Sequence, residues 1–372
     1  MIVALAAWTL PAQAAGRVGG EGDAHAARST ASGDPGVTVA QGLNNPRHLS
    51  FAPNGDLYIA ESGVPGQGDG PCTESEEFGT RCLDDSGSVT RLSRKGIQDR
   101  VLTGLPSLVN AEEAVGPSDV LLRGQRAYVA FGLGGDAQAR ADLGPGGRML
   151  GTLAEIPLRG QGRAPGVVAD LVAHEESDPD GAGADSNPVD VIRQGSGWVV
   201  TDAGGNTVVR ADRRETSTLA VLPPGMAEAP PFLGLPPGTM IPVQSVPTST
   251  AQGPDGALYV SELTGFPFPQ GGADIWRLDP DGTPQVWASG LTTVTDLAWD
   301  GQELYAVQLS DAGLLAGMEG SLVRVDPDGA HETVGGPWFA PYGVAVRDGA
   351  AYVTTCSVCA GGGAVVKVDL PG

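Results

Sequence analysis

One unit recurs along the chain, and it constrains the fold more than any other feature. Each copy opens with a turn, usually containing Pro, and an apolar run, continues through a Gly-containing turn into a Tyr-led strand, and ends with two further strands. The clearest copy begins at Val246 and extends to Leu291. Its relatives begin at Asn44, Gly116, Ser186, Thr293 and Ala340. Repeats of roughly 40–50 residues built from short strands are typical of a β-propeller.

The spacing of the copies predicts an all-β, six-bladed, NHL-like propeller in which the early blades carry insertions. The sixth copy ends at Gly372 without its fourth strand, and a matching strand stands before the first copy, from Val37 to Leu43. We therefore expect the N-terminal strand to complete the last blade, because this closes the ring and ties down the terminus. An array of β-sandwiches is the alternative interpretation of the same strands.

Composition limits the partners that the chain can have. A hydrophobic fraction of 41% in 372 residues is enough for one large packed domain, and the 57 Gly and 30 Pro fall between the periodic strands, as turns do. The net charge of −22 argues against binding to nucleic acid or to an anionic membrane surface. It is compatible with simple solubility and with a cationic or divalent-metal partner.

The first residues resemble a targeting signal. Residues 1–14 have the apolar core and the Ala-x-Ala end of a signal peptide, although no Lys or Arg precedes the apolar run, so we expect a longer natural N-terminus. Residues 15–36 are small, polar and Gly-rich, which predicts a flexible leader, and residues 37–372 form the propeller. The apolar run is too short to span a membrane. We expect a protein that is secreted or periplasmic.

The four cysteines agree with export, because disulfides persist in oxidising compartments. Cys72 and Cys82 bracket an acidic insertion in the first blade, and we predict a local disulfide between them. Cys356 and Cys359 form a C-x-x-C pair near the inner strands of the last blade. A small structural disulfide is the favoured interpretation of this pair; a redox pair, half of a metal site and free thiols are the alternatives.

Equivalent positions of a propeller repeat form rings around the central channel. Aligning the six copies places at one position His48, Asp119, Asp190, Ser249, Asp296 and Gly343. Carboxylates repeated around a channel suit a hard cation such as Ca²⁺, with backbone carbonyls and water completing the shell. The alternative is local, since Asp or Ser just after a turn often accepts hydrogen bonds from backbone amides.

A second ring and an acidic loop are further candidates. Glu61 and Glu262 end equivalent strands, where two carboxylates could act as acid and base or could be solvated strand ends. The Gly-rich insertion Ser177 to Asn187 resembles a calcium-binding loop in composition, although its spacing does not match an EF-hand, and a plain acidic turn is the alternative. The metal ligands predicted from the ring and the loop are Asp119, Asp190, Asp296, Asp185 and Asn187.

Other catalytic signatures are absent from the sequence. There is no G-x-S-x-G elbow, no H-E-x-x-H motif and no phosphate-binding P-loop. With only four histidines, one of them in the leader, multi-histidine copper chemistry is excluded as an explanation.

Several stretches resemble the ScyD/ScyE family of secreted NHL-like propellers. The stretch from Pro236 to Leu278 resembles the family's signature, and segments beginning at Gly42, Gly87, Thr103 and Asp202 agree with the family in order. The family is named for proteins encoded with the biosynthesis of scytonemin, an exported indole-phenol sunscreen pigment of cyanobacteria. The resemblance implies a role at late, extracytoplasmic steps. This chain has Ser118 before Asp119, where relatives are expected to have His-Asp.

Two classes of function follow. The first is an exported monomeric propeller that binds a small ligand or a protein partner at the channel mouth, with or without Ca²⁺, in extracytoplasmic or secondary metabolism. The second is an enzyme at the central channel. A calcium-dependent lactonase or hydrolase would use a set such as Asp119, Asp190, Asn187 and Asp296. A quinone-dependent sugar or aldehyde dehydrogenase would need a channel base, for which His48 is the only candidate.

Overall fold

The computed structural model describes residues 34–75, 79–158 and 164–371. The predicted signal peptide and residues 15–33 of the predicted leader lie outside the described residues. The last leader residues already contact the propeller: Gly336 donates its N–H to Asp34 O at 3.1 Å, and the Trp338 indole donates to Pro35 O at 3.0 Å. Within the described ranges, no helix is long and apolar enough to cross a membrane.

The first two blades carry most of the short helices. The N-terminal strand and the first blade comprise β1 (Val37–Leu43), β2 (Pro46–Phe51), β3 (Leu57–Glu61), β4 (Cys72–Ser75), β5 (Gly79–Leu92), β6 (Gln98–Val109) and β7 (Ala114–Val115). The second blade and its helices comprise β8 (Pro117–Arg123), β9 (Arg126–Phe131), α1 (Ala137–Asp142), a 3₁₀ turn (Gly144–Met149), β10 (Thr152–Pro157), β11 (Gly166–Asp170) and α2 (Leu171–Glu175).

The third and fourth blades are separated by an extra hairpin. The third blade comprises β12 (Pro188–Gln194), β13 (Gly197–Asp202), β14 (Thr207–Ala211) and β15 (Thr216–Val221). The hairpin comprises β16 (Gly225–Glu228), a 3₁₀ turn (Pro231–Leu233) and β17 (Met240–Val243). The fourth blade comprises β18 (Pro247–Gln252), β19 (Leu258–Glu262), β20 (Ala273–Leu278) and β21 (Pro284–Leu291).

The fifth and sixth blades have the fewest insertions. The fifth comprises β22 (Val294–Asp300), β23 (Glu303–Gln308), β24 (Glu319–Val325) and β25 (Glu332–Phe339). The sixth comprises β26 (Val344–Arg347), β27 (Ala350–Thr355) and β28 (Gly363–Asp369), and β1 joins it by antiparallel pairing with β28. The prediction that the N-terminal strand completes the last blade is therefore confirmed.

The sheets close into a ring. In the described part of the chain there are six antiparallel sheets of at least four strands, and the innermost strands β2, β8, β12, β18, β22 and β26 contact one another in cyclic order. The six largest apolar clusters each lie between two neighbouring blades, so hydrophobic burial holds blade to blade around the whole circle. The fold is an all-β propeller, as the repeat predicted.

Two disulfides stabilise the loops. Cys72 and Cys82 join β4 to β5, which confirms the predicted local bridge. Cys356 and Cys359 are also bonded to each other, as the favoured interpretation of the C-x-x-C pair predicted. The second bridge stands where the ring closes, because Asn45 donates its backbone N–H to Cys359 O at 3.2 Å.

One end of the propeller carries nearly all of the insertions, and we call it the loop face. Neighbouring strands of an antiparallel meander run in opposite directions. One end of each blade therefore holds the connection from the second strand to the third and the connection from the fourth strand to the next blade. The long connections 62–71, 132–151, 176–187, 222–246 and 263–272 all join strands there. The opposite face carries tight turns such as those at Gly55 and Gly124, both at positive φ.

Candidate functional site

A β-bulge marks the start of the inner strand in five of the six blades. The register shifts fall at Pro46/Leu49, Pro117/Asp119, Pro188/Asp190, Pro247/Ser249 and Val294/Asp296. A bulge leaves one residue outside the ladder and re-aims the neighbouring side chain. The ring position found in the sequence therefore coincides with the bulge, where a side chain can leave its own blade.

The ring carboxylates accept hydrogen bonds from backbone amides, often in the next blade. Asp119 accepts the N–H of Val120 at 2.7 Å on Oδ1 and the N–H of Val191 in the third blade at 3.1 Å on Oδ2. Asp190 repeats the pattern one blade later and accepts the N–H of Thr250 at 2.7 Å. These contacts hold consecutive inner strands together, which is the local interpretation that the sequence left open.

Asp296 follows the same rule between the fifth and sixth blades. Its Oδ1 accepts the Leu297 N–H at 2.7 Å, and its Oδ2 accepts the Val344 N–H at 2.7 Å. Ser249, the equivalent residue of the fourth blade, donates its hydroxyl to Asp296 Oδ1 at 2.8 Å. All of these groups are buried, so their hydrogen bonds offset the cost of taking them out of water.

His48 fills the centre of the ring and is only 2% exposed. Its Nδ1 lies 2.8 Å from Val189 O in the third blade, and its Nε2 lies 3.1 Å from Thr295 O in the fifth. Carbonyl oxygens only accept hydrogen bonds, so both ring nitrogens must donate, and neutral imidazole has a single N–H. The geometry therefore favours the imidazolium form of His48, which satisfies both contacts.

Electrostatics agrees with this protonation state. Burial lowers the pKa of His48, but the carboxylates of Asp296, Asp190 and Asp119 outweigh burial and raise the pKa to about 9. Burial raises the pKa of each of these carboxyl groups, and the charge of His48 opposes that rise. The nearest approach is 4.0 Å, between His48 Nε2 and Asp296 Oδ1. The ring thus holds its own buried cation among three acids.

His48 is not available as a metal ligand in this geometry. Single ligand atoms from His48, Asp119 and Asp190 lie within 4.8 Å of one another, a spacing compatible with a metal. However, both imidazole nitrogens carry protons that point at carbonyl oxygens, and a metal ligand must present a lone pair. The same protonation leaves His48 unable to act as the base that a quinone-dependent dehydrogenase needs.

Glu61 and Glu262 each accept hydrogen bonds from neighbouring residues. Glu61 accepts the Asn44 N–H at 2.7 Å and a guanidinium N–H of Arg100 at 2.8 Å. Glu262 accepts the indole N–H of Trp276 at 3.0 Å, and burial raises its pKa to about 8. Both side chains are buried and hydrogen-bonded, so the geometry gives them a structural role and no shared cleft.

The acidic loop is held by its own backbone. Asp178 accepts the Gly183 N–H at 3.0 Å, and Asp180 Oδ1 accepts the Ala182 N–H at 2.9 Å. Asn187 turns to the second blade, where its Oδ1 accepts the Leu133 N–H at 3.2 Å. Among the described residues, Asp185 does not join the compact group formed by His48, Asp119 and Asp190.

Two buried acids beside this loop are absent from the sequence-based candidates. Glu175 ends α2, and Asp202 ends β13 and accepts the Ser186 hydroxyl at 2.7 Å. Burial raises the pKa of Glu175 to about 8 and that of Asp202 to about 6. The one signal for them is the D-A-G-G-N stretch that begins at Asp202, because two adjacent glycines after a strand indicate a close approach.

A cavity of about 350 Å³ opens on the loop face beside the same segment. Its walls are mostly apolar: Val221, Leu222, Pro223, Pro224 and Pro242 with Gly181 and Ala182. Its polar groups are Asp180 and Gln244, which are joined because Asn206 Nδ2 donates to Asp180 Oδ2 at 2.7 Å and to Gln244 Oε1 at 2.9 Å. Apolar walls with a few fixed polar groups are typical of small-molecule sites.

A larger cavity of about 680 Å³ lies on the opposite face, between the hairpin turns of the first two blades. Its charged residues already have partners: Arg91 pairs with Asp99 at 2.8 Å, and Asp56 accepts the Arg94 N–H at 3.1 Å. The polar groups of both cavities have partners, but only the smaller cavity lies among the insertions of the loop face, where binding residues are most often found, so it is the better candidate site.

Comparisons with known proteins define the fold and no more. No protein-family model matches this sequence, and no curated protein is significantly similar to it. A crystal structure of glucose dehydrogenase is similar with a TM-score of 0.50 and 16% identity, over 90% of this chain and 99% of that one. At this identity the likeness shows the fold alone, which is that of a β-propeller.

Two further solved structures are similar. A putative glucose dehydrogenase from Thermus thermophilus has a TM-score of 0.48 and 18% identity, over 89% of this chain and 98% of that one. Virginiamycin B lyase from Staphylococcus aureus has a TM-score of 0.44 and 12% identity, over 90% of this chain and 87% of that one. The names of these enzymes denote different reactions, and a shared fold by itself selects no activity.

Proposed function

We propose that this protein is an extracytoplasmic binding propeller of the ScyD/ScyE kind, whose ligand site is the loop-face cavity. The observation that carries the proposal is the contrast between that cavity and the channel. The channel centre is filled by His48, and its surrounding carboxylates are hydrogen-bonded to backbone amides. The loop-face cavity combines apolar walls with the fixed acceptors Asp180 and Gln244. The two disulfides support export.

The chemistry of the cavity selects a ligand class. Apolar walls suit a flat hydrophobic body, and the carboxylate of Asp180 suits a hydrogen-bond donor or a positive charge. The net charge of −22 favours cationic over anionic molecules at long range. The ScyD/ScyE resemblance implies a place beside an indole-phenol product. We therefore infer that the ligand is a small aromatic amine or phenol.

The enzyme alternatives have weaker support. A lactonase that uses one central calcium requires open oxygen ligands at the channel, and a quinone-dependent dehydrogenase requires a free base there. The ring aspartates already accept backbone N–H groups, and both nitrogens of His48 lie against carbonyl groups. If calcium binds this chain, we propose that it does so outside the ring.

The test is a pair of probes with one ring system and opposite charges. Isothermal titration of the mature protein with tryptamine should show saturable binding, and indole-3-acetate should bind at least about tenfold more weakly, which corresponds to about 1.4 kcal/mol. Ala182→Trp fills the cavity and should abolish tryptamine binding. Ala184→Trp is the matched control, since Ala184 is an exposed residue of the same loop outside the cavity lining, and it should bind normally.

Two results would contradict this assignment. Equal binding of both probes would remove the role of Asp180, and unchanged tryptamine binding in Ala182→Trp would place the site elsewhere. The variants report on binding only if their melting temperatures match that of the wild type, which is measured in the same samples.

A further inference from the structure

A second group of acids, buried or half-buried, lies outside the ring, on the loop face. We call Glu175, Asp180, Asp185 and Asp202 the loop-face acidic cluster. Its members come from α2, from the connection 176–187 and from the end of β13. Glu175 is 1% exposed and Asp202 is fully buried. Buried acids of this kind need partners, because an uncompensated charge in the protein interior is costly.

The glycine pair of the third blade shows how closely the acids gather. A Cβ atom on Gly205 would stand only 2.4–2.5 Å from the carboxyl atoms of Glu175, and one on Gly204 would stand 3.1 Å from Asp185 Cγ. Asp202 Oδ1 accepts the N–H groups of Gly204 at 3.2 Å and of Gly205 at 3.4 Å. Three carboxyl groups therefore contact one dipeptide: the carboxyl of Glu175 leaves no room for a side chain at Gly205, and the backbone of Asp185 and Asn187 leaves little at Gly204.

The cluster has oxygen atoms without partners among the described residues. Glu175 Oε1 accepts the Thr207 hydroxyl at 3.0 Å, whereas Glu175 Oε2 is buried and has no hydrogen bond. Asp185 Oδ1 is likewise buried without one. Buried polar atoms in native proteins almost always have partners, so an orphaned carboxylate oxygen points to a bound ion or water as its partner.

The charges that act most strongly on Glu175 are all negative. Burial raises its pKa, and Asp202, Asp180 and Asp185 raise it further. Asp185 has a positive charge near it, unlike Glu175: burial raises the pKa of Asp185, while the Arg81 guanidinium lowers it. Asp202 differs more, because four hydrogen bonds from Ser186, Asn187 and the glycine pair support its charge. Glu175 is thus a buried acid beside other acids, with one oxygen lacking a hydrogen bond.

We propose that the loop-face acidic cluster binds one divalent cation, with Glu175 Oε2 and Asp185 Oδ1 as the protein ligands that are free to reach it. All donors are hard oxygens, which selects Ca²⁺ or Mg²⁺ over softer metals. No three of the four acids bring carboxylate oxygens within 4.8 Å of one another, so two carboxylates at most serve as ligands here and backbone or water oxygens must complete the shell. Ca²⁺ accepts six to eight oxygens in variable geometry, which makes it the better fit.

The ion would join three segments that the backbone alone leaves separate. α2, the connection 176–187 and the turn 202–206 meet at the cluster, and Asp180 also lines the loop-face cavity. The cluster and the ligand cavity share Asp180, but the two proposed metal ligands, Glu175 and Asp185, do not line the cavity. Failure of aromatic binding would leave it standing, and failure of metal binding would leave the cavity proposal standing.

The experiment is a calorimetric calcium titration of the mature, chelator-treated protein, followed by thermal melting with and without about 1 mM CaCl₂, a concentration within the range of extracellular calcium modules. We expect one ion per chain and a rise in melting temperature with calcium, because the ion binds the folded state. Glu175→Gln should weaken calcium binding at least about tenfold. Glu262→Gln is the matched control, because Glu262 is also buried with a pKa raised to about 8, yet both of its oxygens are hydrogen-bonded.

Each outcome of these titrations either supports or overturns the metal site. Loss of calcium stabilisation in Glu175→Gln together with its retention in Glu262→Gln supports the site. Absence of calcium binding to the wild type overturns the proposal, and so does binding that Glu175→Gln leaves unchanged. If Glu175→Gln does not fold, Asp185→Asn at the half-buried edge of the cluster serves as the second variant, because Asp185 Oδ1 also lacks a hydrogen bond, and it should weaken binding in the same direction.

Discussion

The two acidic groups of this propeller solve the same electrostatic problem in different ways. The ring places three aspartates around His48, which supplies a positive charge from within the chain. The loop-face acidic cluster places Glu175 among three aspartates, and the charges that act most on it are all negative. A buried charge must be paired or neutralised, so the first group is complete as folded and the second is complete only with a proton or an added ion.

This difference between the ring and the loop-face acidic cluster gives the two groups different roles. The ring acids join one blade to the next through hydrogen bonds to backbone N–H groups, which makes them part of the scaffold. The loop-face cluster stands where the insertions gather and where the cavity opens. Binding residues are disproportionately found on loops that a rigid scaffold positions, and the proposed sites of this molecule follow that division.

The largest effect is expected from His48→Gln, which removes the cation of the ring. Three buried carboxyl groups would then lose their central counter-charge, and breaking a buried ion pair in this way costs about 3–5 kcal/mol. Urea unfolding should show this loss relative to wild type. The double variant His48→Gln with Asp296→Asn should recover part of it, because one acid is removed as well. A single variant as stable as wild type would show that His48 is not the charge that holds the ring.

The second-largest effect is a pH dependence of stability, to which His48 and Glu175 contribute over different pH ranges. The folded pKa of His48 is raised to about 9 from 6.5, so its stabilisation is complete below pH 6.5 and is lost as the pH rises through 9. A shift of this size is worth about 3 kcal/mol. The folded pKa of Glu175 is raised to about 8 from 4.5, so the metal-free protein loses stability between pH 4.5 and 8, because the unfolded chain releases this proton while the folded chain keeps it.

Melting curves measured in chelator across both of these pH ranges test this separation. Glu175→Gln should make the profile below pH 8 less steep, with Glu262 and Asp202 still contributing there, and should leave the part controlled by His48. Added calcium should oppose the loss near pH 8, because it binds the ionised carboxylate. A profile that calcium and Glu175→Gln both leave unchanged would mean that Glu175 has no special environment.

The sequence predicts the ring better than the cluster, for a physical reason. A repeat brings equivalent residues to equivalent places, so the alignment that groups His48 with Asp119, Asp190 and Asp296 already predicts their convergence. The protonation of His48 does not follow from the alignment, because it depends on two carbonyl groups 141 and 247 residues away in the chain. Glu175 stands in an insertion outside the repeat, so no periodicity predicts its burial against Gly205.

The smallest effect is expected from Ser249→Ala, which tests the one neutral hydrogen-bonding member of the ring. Ser249 donates its buried hydroxyl to Asp296 Oδ1 at 2.8 Å, but Asp296 keeps two backbone N–H donors and the nearby charge of His48. Losing one of several hydrogen bonds to a charged acceptor should cost about 1–2 kcal/mol in urea unfolding. Ser289→Ala on the exposed surface is the control and should be neutral. A loss for Ser249→Ala as large as that for His48→Gln would mean that hydrogen bonding, and not the internal cation, is what completes the ring.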